Sequence, residues 1–142
     1  MPRKSTIRPE DIYEIRQPSV CRLSPDGSRL LVAVSQPNKE KLTNQTSLWM
    51  VDLRDEAAKA RRFTQGGSVD ANPRWSPDGK RIAFVSNREG KSELYVIDAG
   101  GGEARQLTKL AGSIADFDWH PSGQRLVIAF TPRDAEAKER EE

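Results

Sequence analysis

The sequence predicts an all-β protein: an incomplete β-propeller of about two and a half four-stranded antiparallel blades, preceded by a short helical arm. Three observations predict it. A turn-and-strand segment recurs at blade-like spacing. Each repeat divides into four short β-prone runs separated by turn residues, and no helical period interrupts them.

The recurring segment is Trp75 to Phe84 (WSPDGKRIAF), which returns as Trp119 to Ile128 (WHPSGQRLVI) at an offset of 44 residues. The same offset carries Arg61 onto Arg105 and Thr64 onto Thr108. A third copy, Leu23 to Val32 (LSPDGSRLLV), lies 52 residues before the one that begins at Trp75. Its longer spacing is taken up by Gln36 to Thr46, a polar stretch that reads as a surface loop. Blade repeats run about 40–50 residues, so the period fits a propeller.

Within one repeat the elements follow from local chemistry. Pro77 presets φ for the second turn position, and Asp78 and Gly79 suit those after it. Arg81 to Ser86 is rich in β-branched and aromatic residues. Asn87 to Gly90 turns the chain, Glu93 to Asp98 forms a third strand, and Arg105 to Thr108 a fourth after a glycine-rich turn. Stacked blades are covered on both faces, which explains why these strands are nearly continuously apolar. Leu30, Ile82 and Leu126 then take equivalent positions between blades, as do Val32, Phe84 and Ile128, and Trp49 and Tyr95.

Three segments result: an arm over 1–17, a partial propeller over 18–131 with repeats starting near 19, 69 and 114, and a charged loop or tail over 132–142. In the arm, Pro9 suits a first helical position, and Glu10 and Asp11 complement the helix dipole. Ile12 and Ile15 share a face that wants a surface to pack on. Closed propellers have four to eight blades. The chain is therefore expected to be an N-terminal fragment of a longer protein, folding poorly or self-associating through its open blades.

Composition narrows function. Of 142 residues, 35% are hydrophobic and 31% charged, with 23 basic and 21 acidic side chains and a net charge of +2. Mean hydropathy is −0.73. No basic stripe interleaved with aromatics marks a nucleic-acid surface, and no apolar run approaches the roughly 20 residues of a membrane span. Cys21 is the only cysteine, which fits the cytoplasm and reads as a small buried strand residue.

No residue is assigned a catalytic, cofactor-binding or metal-binding role. Gly66 to Asp70 (GGSVD) lacks the final glycine of a nucleophile elbow and falls between strands. His120, the only histidine, stands in a repeat turn where Ser76 stands in the preceding copy. Asp116, Asp118 and His120 alternate on one strand face and could ligate a cation. The aligned Asn72, Arg74 and Ser76 have no such chemistry, so the three are read as solvent-facing polar residues. Arg29, Arg81 and Arg125 recur in every repeat, which points to a structural role such as pairing with a carboxylate.

The chain resembles the propeller of the prolyl oligopeptidase family, in its acylaminoacyl-peptidase-like and dipeptidyl aminopeptidase branch. The resemblance rests on Arg8 to Ile12 (RPEDI), Arg22 to Gly27, Ser47 to Asp52, Pro73 to Phe84, Gly101 to Thr108 and the charged run after Phe130. It implies a partner, a C-terminal α/β-hydrolase domain with a Ser-Asp-His triad that lies outside this chain. The propeller would cap that site and restrict entry to short or N-acylated peptides. The Ser-Pro-Asp-Gly repeat is shared with TolB-like propellers, so a non-enzymatic protein-binding propeller is the alternative.

Overall fold

Proline and glycine, with aspartate in the first two copies and Ser122 in the third, dictate the first hairpin of every blade. In the computed structural model, which describes residues 6–133, Gly27, Gly79 and Gly123 adopt φ of +74°, +71° and +71°. This left-handed turn conformation favours glycine. The Ser76 hydroxyl donates to Asp78 at 2.6 Å and accepts the Arg81 N–H, while the Lys80 N–H donates to the same carboxylate. Ser24, Asp26, Ser28 and Arg29 repeat that network in the preceding copy.

These turns join strands into sheets in chain order. The first blade comprises β1 (Gln17–Leu23), β2 (Arg29–Asn38), β3 (Thr43–Asp52) and β4 (Arg61–Arg62). The second comprises β5 (Asp70–Trp75), β6 (Arg81–Ser86), β7 (Glu93–Asp98) and β8 (Arg105–Gln106). The third contributes β9 (Gly112–Trp119) and β10 (Leu126–Pro132). Every neighbouring pair is antiparallel. Val32 pairs with Trp49 and Phe84 with Tyr95, so the equivalence holds in the ladder, but not in packing. Phe84 and Tyr95 lie between blades, whereas Leu30, Val32 and Trp49 are only half-buried, and Leu31, Ala33, Leu48 and Met50 fill the first blade's side of that core.

Burial follows blade stacking. Ile82, Phe84, Tyr95 and Ile97 of the second blade pack against Leu31, Ala33, Leu48 and Met50 of the first. Ala83 and Leu94, on the opposite face, meet Phe117, Ile114, Trp119, Leu126 and Ile128 of the third. The middle blade is thus apolar on both faces because both are covered. The outward face of the third blade is open among the described residues, and Val127 is 67% exposed there.

Three local readings are corrected. Gln36 to Thr46 is no loop: β2 and β3 continue as a ladder to the Asn38–Thr43 pair. Polar side chains obscured these strands, because a hairpin projecting beyond the core needs no apolar alternation. Cys21 is exposed. On β1 its neighbours take the inward face, with Val20 packed against the core and the Arg22 Nε donating to the Pro73 carbonyl at 3.3 Å. The arm forms a 3-10 helix over Pro9–Glu14 with no buried residue, and Ile12 and Ile15 remain exposed. Residues 134–142 of the charged tail lie outside the described residues. Among the described residues, no helix is long and apolar enough to cross a membrane.

Gly112 carries a steric requirement independent of φ. A Cβ there would collide with the Thr131 carbonyl oxygen across the β9–β10 ladder, and with the Phe130 ring. The ring can turn aside but the carbonyl cannot. Gly112→Ala is expected to cost about 1–3 kcal/mol. Urea unfolding reads it; a change within experimental error would mean that this end of the ladder is not closed.

Candidate functional site: the seams between blades

Polar chemistry in this chain concentrates at the seams, where one blade reaches the next. Arg29 stacks its guanidinium on the Trp75 ring at 5.1 Å and donates to the Ala99 carbonyl at 3.1 Å and the Gly79 carbonyl at 3.4 Å. Arg81 does the same one blade on, over Trp119 at 5.2 Å and onto the Gly123 carbonyl at 2.6 Å. Each tryptophan answers: Trp75 Nε1 donates to the Arg22 carbonyl and Trp119 Nε1 to that of Arg74. The recurring arginine therefore serves carbonyls and an indole, where a carboxylate partner was expected. A guanidinium has enough donors, and a flat enough face, to do both. Arg125, its third-blade counterpart, lies exposed.

His120 sits in the third SPDG-type turn. Its Nδ1 lies 2.8 Å from the Ser122 hydroxyl and accepts the Ser122 N–H, while Ser122 takes the place of Asp78, its hydroxyl accepting the Gln124 N–H at 3.3 Å as Asp78 accepts that of Lys80. Asp116 and Asp118 flank Arg74 of the neighbouring blade, at 3.3 and 3.9 Å. Asn72, at φ +50° in a bulge of β5, donates to Asp116 at 3.1 Å. These bonds, with Arg74 adding a positive charge, hold the Asp116 carboxyl below its ordinary range. That arrangement is an inter-blade clasp; His120 belongs to a separate turn. In the Gly66 to Asp70 stretch, the Ser68 hydroxyl donates to Asp70 and its carbonyl accepts the Thr46 N–H.

The turn carboxylates carry a pH signature. Hydrogen bonds from Ser76, then Lys80, lower the Asp78 carboxyl from its ordinary 3.8. A carboxyl lowered on folding adds stability that is present above its unfolded value and lost as pH falls through the folded one. Asp78, followed by NMR, is expected to titrate below 3.8. Titration at or above that value would mean that the serine and lysine bonds are not held in solution.

Two buried carboxylates escaped the sequence reading. Glu93 accepts the Thr108 hydroxyl and the Leu110 N–H at 2.8 Å, tying the loop after β8 to β7. Asp70, 0% exposed at the start of β5, pairs with Arg88 at 3.1 Å. Arg88 also donates its Nε to Ser86 and lies over the Tyr95 and Phe84 rings at 4.9 and 5.2 Å. The offset of 44 puts Ile114 where Asp70 stands, so this feature is private to one blade and the repeat could not reveal it.

Comparison with known proteins agrees with the architecture. The family model of the TolB beta propeller domain matches residues 16–139. The uncharacterized peptidase YuxL of Bacillus subtilis is 32% identical over 135 residues, covering 94% of this chain and 20% of that protein. Dipeptidyl-peptidase 5 of Porphyromonas endodontalis is 32% identical over 139 residues, covering 97% and 20% respectively. The acylaminoacyl peptidase of Pyrococcus horikoshii superposes with a TM-score of 0.65 at 21% identity, over 83% of this chain and 18% of that one. The chain thus spans about a fifth of the length of the curated relatives it matches.

Proposed function

Because this chain belongs to the TolB β-propeller domain family, we propose that it is the propeller part of a serine peptidase acting on short or N-acylated peptides. Its contribution is substrate gating and docking to a C-terminal α/β-hydrolase domain; bond-breaking belongs to that domain. One observation carries the reading: relatives named as peptidases align over 94% and 97% of this chain, while it spans only 20% of each. The seams add support, since the serine, histidine and aspartate side chains singled out in the sequence are engaged in turns and clasps. The single cysteine favours the cytoplasm as its location.

The test has two arms. Given chromogenic peptides with free and acylated N-termini and a serine-directed fluorophosphonate, the 142-residue chain turns over nothing and takes no label. Turnover with labelling of one serine would sink the non-catalytic assignment. The second arm is the reading frame beyond Glu142. Further blades followed by a Gly-x-Ser-x-Gly elbow support the peptidase, whereas repeats running to a stop favour a TolB-like binding propeller. The open third-blade face also favours self-association of the isolated chain, which a concentration-independent monomer in sedimentation would refute.

A further inference from the structure

Two cations bond to the loop Gln65 to Ser68, between the first and second blades, and a third lines the cavities beside it. Lys41 donates its ammonium to the Gly67 carbonyl at 3.1 Å from the tip of the β2–β3 hairpin. Arg62 Nη1 reaches the Gln65 carbonyl at 3.5 Å. Arg88 lines both cavities that flank the loop, of about 310 and 210 Å³. These cavities share Gly67, Ser68 and Arg88, and neither has a single carboxylate residue in its lining. The larger adds Lys41 and the amide side chains of Asn44 and Asn87.

Arg88 is held in a fixed geometry. Asp70 takes its Nη2 and Ser86 its Nε, and the rings of Phe84 and Tyr95 lie beneath it. Among the described residues its Nη1 donates to no group, and the side chain is 29% exposed. A guanidinium whose geometry is already fixed loses little entropy on binding an oxyanion. The ion pair with Asp70 offsets one charge, leaving Lys41 as the second cation in the lining of the larger cavity. The corresponding seam between the second and third blades differs: its cavity is lined by Glu89 and Glu93 beside Lys91 and Lys109.

We propose that the cavity between the projecting β2–β3 hairpin and the Asn87 to Gly90 turn binds an oxyanion, a carboxylate or phosphate group, between Lys41 and the free edge of Arg88.

The experiment titrates the 15N-labelled chain with inorganic phosphate and, separately, with a blocked dipeptide bearing either a free or an amidated C-terminus. The amides of Gly66, Gly67, Ser68 and Gly90 are expected to shift together and saturate, and the amidated peptide to have no effect. Saturation by phosphate alone identifies a free anion as the ligand; saturation by the carboxylate peptide identifies a chain terminus. Lys41→Ala, at an exposed position that holds no core contact, is expected to weaken binding about fivefold. Arg88→Gln is expected to abolish binding; because it also removes the Asp70 partner, it is read only where its spectrum stays native. Shifts that fail to saturate, that gather instead at Lys109 and Leu110, or that are unchanged in affinity by Lys41→Ala would overturn the proposal.

Discussion

Phe84→Ala is expected to destabilise the chain by about 3–5 kcal/mol, the usual cost of emptying a fully buried aromatic site. Phe84 is 0% exposed, lies 6.0 Å from the Tyr95 ring in a stacked pair, and belongs to the face that meets Leu31, Ala33, Leu48 and Met50. A cavity there cannot collapse easily, because one wall is another blade's sheet and the other is its own ladder partner. Val32 provides the internal control. It holds the same ladder position one blade earlier, opposite Trp49, but is only half-buried. Val32→Ala is expected to cost about 1 kcal/mol. Parallel urea titrations compare the two. Equal costs would mean that the second blade is not covered on this face in solution, and that the stacking of the first two blades is wrong.

That comparison locates what was legible in the sequence. The Trp75 to Phe84 repeat announced itself because turn chemistry is local: Pro77, Asp78 and Gly79 act on residues two or three positions away. Strand order followed from the turns. The stacking positions followed from repetition, since Ile82 and Phe84 recur as Leu126 and Ile128. What the residues could not reveal lies across seams. Arg29 meets Ala99 at a separation of 70 residues, and Trp75 meets Arg22 at 53. A recurring arginine proclaims a structural role, but nothing near it in sequence names a carbonyl as its partner. The extended β2–β3 hairpin was hidden for a different reason. Gln36, Pro37 and Asn38 pair through backbone groups with Gln45, Asn44 and Thr43, and no core demands apolar residues of them. Cys21 went astray because a short strand's inward face cannot be chosen when both faces read as mixed. Asp70 and Glu93 are buried carboxylates at places the repeat does not share. For Asp70, the cue was an acid five residues before Trp75 with isoleucine at the same place in the next copy. In a stacked sheet such an exception implies a buried partner.

Arg88→Ala is expected to be the more damaging of the two ways of breaking that partnership. Removing the guanidinium strands Asp70, which is 0% exposed and retains only the Ser68 hydroxyl on Oδ1, with Oδ2 already lacking a partner. An uncompensated buried charge costs about 3–5 kcal/mol. The partial exposure of Arg88 puts this case at the lower end, about 3 kcal/mol. Asp70→Ala leaves the opposite orphan, a guanidinium 29% exposed that water can reach and that Ser86 still binds. Its cost should therefore be smaller. The double variant should be less destabilised than the two single costs added together, because the second change removes the orphan created by the first. Unfolding free energies of the four proteins complete the cycle. If Asp70→Ala proves the costlier change, the carboxylate is contributing more than a counter-charge to Arg88, and its bond with Ser68 at the entrance to β5 becomes the interaction that holds the second blade to the first.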